Sequence, residues 1–396
     1  MEKKPAIRFE GYTENWEQRK VGDFLSVSKI PGHTGVDAKK LTVKLWGKGV
    51  VEKNDLYGGS ENTQYYIRRA GQFMYGKLDF LHAAFGIVPE TLDKFESTLD
   101  SPAFDLNEID GQFLLNRVMQ EDFYLKHGLV ANGSRKAKRI YEDTFMGMPI
   151  LIPAIEEQHQ IGNYFANLDN LITLHQSNYE KMVATKNSML DKLFPQGDAK
   201  VPAIRFEGFV GNWEKKPLGA IVIPYSDPVE VPHDGYERLG IRSHGKGVFH
   251  EYVEAGQEIT TAQLHRVAAH NFIVNITFAW EHAVAVTCDS DAGKLVSHRF
   301  PQFSMADGIH DQFLKYLILD ARFRHHLLLS SPGGAGRNRV LKIPEMLEYE
   351  MMIPDIDEQK QIAGYLNSLD ELIELYRIRV EKLKNIKTAC QQGMFV

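Results

Sequence analysis

Hydrophobic residues recur at seven-residue intervals along two long segments of the chain, 152–194 and 353–396. The heptad positions of the first segment are Ile161, Leu168, His175, Met182 and Met189, and those of the second are Ile362, Leu369, Tyr376, Leu383 and Cys390. A stripe sustained over four heptads indicates a coiled-coil seam. Pro153 and Pro354 precede the stripes, where proline is tolerated. The pattern predicts helices of about 38 residues, each roughly 55 Å long.

The two segments are copies of each other. IPAIEEQHQIGNYFANLDNLITL begins at 152 and IPDIDEQKQIAGYLNSLDELIEL at 353, with 13 of 23 positions identical at an offset of 201. A second repeat pairs PAIRFEGYTENWE at 5–17 with PAIRFEGFVGNWE at 202–214, with 10 of 13 positions identical. The chain is therefore a tandem duplication, and two copies suffice for a pseudo-twofold monomer.

Pairing the copies antiparallel is the simplest way to bury both stripes. The alternative, two unrelated helices packed on separate domains, leaves the shared heptad register unexplained. The predicted helix–helix seam consists of Ile161, Leu168, Leu171, Met182, Ile362, Leu369, Leu372 and Leu383.

Between the repeats lie two blocks of divergent sequence. Short alternating stretches such as 41–45 and 272–278 predict strands, and 110–127 and 312–329 predict helices. The predicted fold class is α+β, with two pseudo-twofold-related α+β domains separated by two long antiparallel coiled-coil helices. The predicted boundaries are 1–151 for the first domain, 152–196 for the first helix, 197–352 for the second domain and 353–396 for the second helix.

Composition narrows the class of protein. The chain has 396 residues, a net charge of −6 and two cysteines, which are too few for a disulfide framework. It shows neither an apolar run long enough to span a membrane nor a secretory signal, so we expect a cytoplasmic protein. The negative charge disfavours nucleic-acid binding over the whole surface but permits local basic clefts.

Cationic, glycine-containing loops recur at matching places in the two blocks. One pair covers 131–139 and 331–339, with Lys342 just beyond the second, and the other is the Gly-Lys-Gly motif around Lys48 and Lys246. Glycine allows close backbone approach, and cationic side chains bind phosphates. A solvated loop is the alternative for each. The candidate DNA-binding residues are Lys48, Lys77, Asn132, Ser134, Arg135, Lys136, Lys138, Arg139, Lys246, Arg337, Asn338, Arg339 and Lys342.

Other conspicuous side chains favour structural roles. Trp16 and Trp213 of the repeated opening segment are expected in a core, whereas Arg8 and Arg205 fit either a phosphate contact or a salt bridge. The paired Glu-Gln at 157–158 and 358–359 suits a helix N-terminus better than acid–base catalysis. We find no nucleotide-binding loop, methyltransferase motif or zinc spacing, and hence predict a recognition protein without catalytic residues and without a bound metal.

The repeated PAIRFEG…NWE segment, the stretch GQFMYGKLDF…AFGIVPE…ESTLDSPAFDL at 71–106 and the IP-x-I-x-EQ-x-QI helix together resemble the specificity subunit of type I restriction–modification systems. The resemblance covers essentially the whole chain, and the doubled helix is its most specific part. The second block departs from the first, because 273–287 is only loosely similar to 74–88.

The resemblance implies that each block is a target recognition domain for one half of a split site in double-stranded DNA. The paired helices would set the half-site spacing and bind two methyltransferase subunits, with restriction (motor) subunits joining the full complex. S-adenosylmethionine, ATP and magnesium would bind those partners, and this chain would bind no cofactor.

The residues alone leave two other classes of protein possible. One is a protein-only coiled-coil scaffold without DNA readout, which the negative charge slightly favours. The other is a self-contained modification or cleavage enzyme.

Overall fold

A computed structural model describes residues 4–53, 61–129, 139–258, 263–333 and 339–396. The chain folds into two compact units, one formed by Met1–Ser177 with Tyr376–Val396 and the other by Asn178–Leu375. We call them unit 1 and unit 2. This division differs from the four consecutive segments expected from the sequence, because each long helix contributes residues to both units. The four-segment division stays a prediction about the sequence.

The first part of unit 1 runs from β1 to the first long helix, and Tyr376–Val396 completes the unit. Its strands are β1 (Glu17–Lys20), β2 (Leu25–Ser28), β3 (Ile30–Thr34), β4 (Leu41–Val43), β5 (Val50–Glu52), β6 (Gln64–Ile67), β7 (Phe73–Tyr75), β8 (Phe85–Ile87), β9 (Glu96–Ser97), β10 (Ala103–Leu106) and β11 (Pro149–Ile152). Its helices are α1 (Gly111–Val118), α2 (Glu121–Gly128), α3 (Glu142–Met146) and α4 (Ile155–Lys192), of which α4 continues into unit 2.

Unit 2 repeats this order. Its strands are β12 (Glu214–Pro217), β13 (Val222–Tyr225), β14 (Pro228–Val229), β15 (Tyr236–Ile241), β16 (Val248–Val253), β17 (Leu264–Arg266), β18 (Phe272–Val274), β19 (Val284–Val286), β20 (Leu295–Ser297), β21 (Gln302–Met305) and β22 (Glu350–Ile353). Its helices are α5 (Leu218–Ile221), α6 (Asp311–Leu317), α7 (Ala321–Leu329), α8 (Ile343–Leu347) and α9 (Ile356–Gly393), of which α9 continues into unit 1.

The sheets of the two units have the same topology. The order β2-β10-β7-β8 in unit 1 matches β13-β21-β18-β19 in unit 2. A second sheet, β14-β17-β20-β15-β16, is continuous in unit 2, whereas unit 1 divides it into β3-β6-β9 and β4-β5. In each unit the first and last strands of the block pair antiparallel, as β1 with β11 and β12 with β22, which brings both ends of the block to the start of a long helix.

Aromatic residues from the ends of both long helices complete the two cores. In unit 1, Phe395 packs against Trp16, Phe113 and Phe165, with ring centroids 5.7–6.3 Å apart. In unit 2, Phe194 packs in the same way against Trp213 and Phe313. The expectation that both tryptophans are core residues is confirmed, since they are 1% and 3% exposed.

The long helices pair antiparallel in each unit, as the sequence predicts. Contacts within unit 1 join Tyr164 to Cys390, Asp169 to Lys387, and His175 to Tyr376, so one residue number rises as the other falls. In unit 2, Lys186 forms an ion pair with Asp370. The fold class is therefore confirmed: α+β units with two long antiparallel helices.

Most of the predicted seam is buried, but two of its leucines are not. The seam residues that belong to the cores of their units are Ile161, Leu168, Met182, Ile362, Leu369 and Leu383. Leu171 and Leu372 are instead 42% and 40% exposed, which corrects their assignment to the seam. The heptad spacing places them close to the stripe, but the interface between the helices is narrower than the apolar face of each helix.

Candidate nucleic-acid interface

A six-residue hairpin loop, residues 44–49, joins β4 to β5 in unit 1. Trp46, Gly47 and Gly49 all lie in the left-handed region, with φ of 58°, 62° and 79°. A side chain at Gly47 would also collide with Met119, since an added Cβ lies 2.4 Å from its Cε. Glycine is therefore favoured there by its conformation, whereas the flexible end of Met119 could move to make room for a side chain. At Trp46 the same conformation costs about 1–2 kcal/mol, so tertiary contacts must hold it.

Unit 2 has the same loop at residues 242–247, between β15 and β16. His244, Gly245 and Gly247 have φ of 65°, 65° and 75°, which reproduces the unit 1 conformation position by position. The two loops read Lys-Leu-Trp-Gly-Lys-Gly and Arg-Ser-His-Gly-Lys-Gly. The name "hairpin loop" is used below for 44–49 and 242–247.

Each hairpin loop is held by a segment that follows the central strand β7 or β18. The backbone N–H groups of Trp46 and Gly47 donate to the carbonyls of His82 (2.8 Å) and Ala83 (2.9 Å). Those of His244 and Gly245 donate to Glu281 and His282 at the same distances. We call residues 76–84 and 275–283 the platform segments. They fix the hairpin loops through the backbone. Of the loop side chains, Ser243 donates to the Glu281 carboxylate and Arg242 donates to the Val248 carbonyl, whereas Lys48 and Lys246 are exposed.

The second pair of predicted cationic loops attaches to the same platform segments. The N–H of Ile140 donates to the Lys77 carbonyl (3.1 Å), and that of Leu341 donates to the Ile276 carbonyl (2.9 Å). In each unit, therefore, the hairpin loop and the residue just after the second cationic loop are fixed by one short stretch of chain. A ligand bound at a platform segment is within reach of both.

The described cationic side chains of this surface differ in whether they are exposed or bound to other residues. Lys48 and Lys246 are exposed at the tips of the hairpin loops. Arg139 forms an ion pair with Asp100 (3.3 Å), and Lys342 forms one with Glu345 (2.6 Å). The guanidinium of Arg339 lies 5.4 Å from the centre of the Trp280 ring, on the platform segment of unit 2. The predicted residues Asn132, Ser134, Arg135, Lys136, Lys138, Arg337 and Asn338 lie outside the described residues.

Lys77 does not belong to this exposed set, which corrects its assignment as a DNA-binding residue. It is 6% exposed, and its ammonium lies 2.8 Å from the Glu142 carboxylate and 5.6 Å from the Tyr141 ring. A buried cation with its own counter-ion stabilises the fold of unit 1 and does not reach a phosphate.

The platform segment of unit 2 contains a buried histidine. His282 is 4% exposed, and its Nε2 lies 2.8 Å from the Ile318 carbonyl. Burial lowers the pKa of His282, and the nearby positive charge of Arg324 lowers it further. The neutral imidazole, donating from Nε2, is therefore the form that this site accommodates.

The repeated arginines and the Glu-Gln motifs have structural roles. Arg8 binds both carboxylate oxygens of Glu157 at 2.7 Å, and Arg205 binds Glu358 in the same bidentate way. Of the two interpretations of these arginines, the structure supports the salt bridge. Gln158 accepts from the backbone N–H of Asp110 (3.1 Å) and donates to the Pro153 carbonyl (2.9 Å). The motif thus fastens the long helix to the opening segment and to α1.

Sequence reasoning missed Trp46 and His244, the exposed residues before each Gly-Lys-Gly. The available signal was the alignment of WGKGV at 46–50 with HGKGV at 244–248, in which the first position alone differs. The left-handed conformation of that position could not be predicted from the sequence, because it depends on hydrogen bonds to a segment about 36 residues away.

No group of three or more His, Cys, Asp or Glu residues in the described ranges could hold a metal ion. None of the described helices has the length and apolarity that a membrane crossing requires.

Comparison with known proteins finds similarity to one family. Residues 252–385 match the family model of the type I restriction modification DNA specificity domain. The type I restriction enzyme MjaVIII specificity subunit of Methanocaldococcus jannaschii is 24% identical, over 94% of this chain and 90% of that protein. The putative MjaX specificity subunit of the same organism is 22% identical over 69% and 64%. The crystal structure of a type I restriction–modification S subunit from M. genitalium has the same fold, with a TM-score of 0.60, 12% identity and 99% of both chains covered.

The fold and the repeated surface define a two-unit recognition protein. Residues 252–385 resemble the DNA specificity domain of type I restriction modification systems, and the whole chain is similar to type I restriction enzyme specificity subunits. The resemblance seen in the sequence is confirmed.

Proposed function

We propose that this chain selects a bipartite site in double-stranded DNA, with unit 1 contacting one half-site and unit 2 the other through their hairpin loops and platform segments. The proposal rests on one observation. The two blocks differ almost throughout in sequence, yet the hairpin loop keeps the same six-residue length, the same left-handed positions and the same backbone anchors in both. A strained, exposed loop kept in duplicate is best explained by a ligand common to both units.

Duplex DNA suits this loop chemically. Lys48 and Lys246 place an ammonium at the tip, and the adjacent glycines leave the backbone uncovered for a phosphate to approach. A second cation, Lys44 or Arg242, stands at the first position of each loop and is also exposed. With a net charge of −6 for the whole chain, the attraction is confined to such local sites.

The long helices would set the gap between half-sites and bind the partner subunits. α4 and α9 have 38 residues each, and each has residues in both units. Leu171 and Leu174 on α4 are 42% and 55% exposed. Their counterparts 201 positions later on α9, Leu372 and Leu375, are 40% and 41% exposed. Exposed apolar pairs repeated in this way fit two copies of one partner.

We propose that two methyltransferase subunits bind these helices and that restriction subunits are added in the full complex. S-adenosylmethionine would bind the methyltransferase subunits, ATP and magnesium would bind the restriction subunits, and this chain would contribute recognition without catalysis.

Salt-dependent DNA binding tests the proposal. The full chain, in complex with its methyltransferase subunits, is titrated with duplex DNA at several salt concentrations. We expect Lys48→Ala and Lys246→Ala each to reduce the slope of log K against log salt by about 0.9, and the double variant by about twice that. Sequence preference should stay unchanged, because phosphate contacts carry no base information. Lys20→Ala, at an exposed lysine on β1, serves as the matched control.

Unchanged slopes in both single variants would remove the hairpin loops from the interface. If the wild-type complex fails to bind DNA, the protein-only scaffold becomes the better account.

A further inference from the structure

Trp46 and His244 occupy equivalent positions, third in the hairpin loop and directly before Gly-Lys-Gly. Both are non-glycine residues in the left-handed region, at φ of 58° and 65°. Glycine adopts this conformation without steric cost, and glycine does occupy the next position in both loops. A side chain has nevertheless been kept at this position in both copies, which indicates that the side chain itself has a use.

Neither side chain is used by the fold. Trp46 is 56% exposed; its indole N–H donates to no described residue, and its ring meets only the edge of His82, with centroids 5.6 Å apart. His244 is exposed, and its imidazole forms no hydrogen bond with the described part of the chain. By contrast, the neighbouring Ser243 hydroxyl donates to the Glu281 carboxylate (2.6 Å). Trp46 and His244 are thus held by their backbone N–H groups, while their side chains lack hydrogen-bond partners among the described residues.

Four of the six loop positions are alike in the two copies, and two differ: the second, Leu45 or Ser243, and the third, Trp46 or His244. Because Ser243 binds Glu281, the third is the variable position whose side chain lacks a hydrogen-bond partner among the described residues in both copies. The first residue is cationic in both copies, as Lys44 or Arg242, and the last three are identical. Constant cations suit phosphates, which are the same in every sequence. The third residue changes from tryptophan to histidine on the same backbone conformation. Such a change alters which chemical groups the loop can contact without moving the backbone of the loop.

We infer that Trp46 and His244 are base-reading residues, each determining part of the sequence preference of its own half-site; this inference rests on the proposed function. The indole N–H can only donate, so it selects an acceptor on a base edge, and the ring also offers an apolar surface to a thymine methyl group. The imidazole can donate or accept, so His244 can meet either kind of base edge. The two units would consequently prefer different bases at equivalent positions.

Exchanging the two side chains tests the inference. Trp46→His and His244→Trp are made separately in the full chain and assembled with the methyltransferase subunits. Each complex selects from a pool of duplexes in which both half-sites are randomised, and the bound duplexes are sequenced. We expect Trp46→His to change the base preference at one half-site by about tenfold or more and to leave the other half-site unchanged. His244→Trp should change only the other half-site.

Trp46→Gly provides a variant that keeps the backbone conformation, so loss of folding does not obscure the result. It should lose discrimination at one or more positions of one half-site while retaining its salt slope. Unchanged base preferences in all three variants would overturn the inference. The proposed function fails separately, if the wild-type complex selects no bipartite site or if Lys48→Ala and Lys246→Ala both leave the salt slope unchanged.

Discussion

Lys387 forms an ion pair with Asp169, at 2.5 Å, between the two long helices of unit 1. Lys186 and Asp370 form the equivalent pair in unit 2, where Asp370 lies 201 positions after Asp169 and Lys387 lies 201 positions after Lys186. Each helix therefore contributes one aspartate and one lysine to these two ion pairs, which form when the helices are antiparallel in this register. The duplicated chain thus specifies the register of its helix pair twice.

Reversing one charge should weaken this register. Asp169→Lys places two ammonium groups together, and we expect it to lower the free energy of unfolding by about 0.5–1 kcal/mol, since the pair is partly solvated. Adding Lys387→Asp restores an opposite-charge pair, so the double variant should recover most of the loss. Denaturant unfolding of the four proteins measures this coupling, and additive effects in the double variant would show that the pair does not contribute.

The helices and their pairing were predictable from sequence because heptad spacing and duplication are periodic signals. The exposure of Leu171 and the burial of Lys77 were not predictable, since both depend on which neighbours the folded chain provides. The hairpin loops were recognised only as glycine–lysine motifs. Their left-handed backbone, which makes Trp46 and His244 equivalent, arises from hydrogen bonds to the platform segments.

The core of unit 1 should depend on the far end of α9. Phe395 contacts Trp16, Phe113 and Phe165. We expect Phe395→Ala to lower the stability of unit 1 by about 2–4 kcal/mol, because it removes a large side chain from a packed cluster. Hydrogen exchange should show faster exchange in unit 1 than in the wild type.

Phe194→Ala is the matched control for that prediction, because Phe194 takes the equivalent place in unit 2. It should speed exchange mainly in unit 2. Equal effects of the two variants on both units would contradict the assignment of each aromatic residue to a separate core.

Acidification should destabilise unit 2 through His282. Burial lowers the pKa of this residue below its ordinary value of 6.5. The unfolded chain therefore binds the proton first as the pH falls, so the stability contributed by His282 is complete above pH 6.5 and is lost below it. The suitable variant is His282→Asn, because asparagine tolerates the left-handed conformation that His282 adopts (φ 63°).

The measurement is the unfolding free energy of the wild type and of His282→Asn between about pH 7 and pH 5. We expect the wild type to lose more stability than the variant over this range. Equal losses would mean that His282 does not titrate with a lowered pKa.

Shortening both helices tests whether they set the half-site gap. Residues 171–177 of α4 and 372–378 of α9 form matching heptads, and their joint removal keeps both ion pairs within their units. Each helix becomes about 10 Å shorter, with only about 20° of rotation. We expect the gap in the recognised site to shrink by about three base pairs, read from the modified positions in genomic DNA.

Removal of the heptad from α4 alone is the control. This deletion breaks the shared register of the two long helices, so we expect it to lower the midpoint of thermal unfolding. It should not produce a new defined gap between the half-sites. A joint deletion that leaves the gap unchanged, in a complex that still assembles and modifies DNA, would rule out the helices as the spacer.

The most direct test is to replace residues 18–150 with the corresponding block of another family member and to sequence the modified DNA of cells that contain the complex. The account predicts that one half-site changes while the other half-site and the gap between them stay the same. A change in both half-sites, or in neither, would contradict the claim that each unit reads its own half of the site.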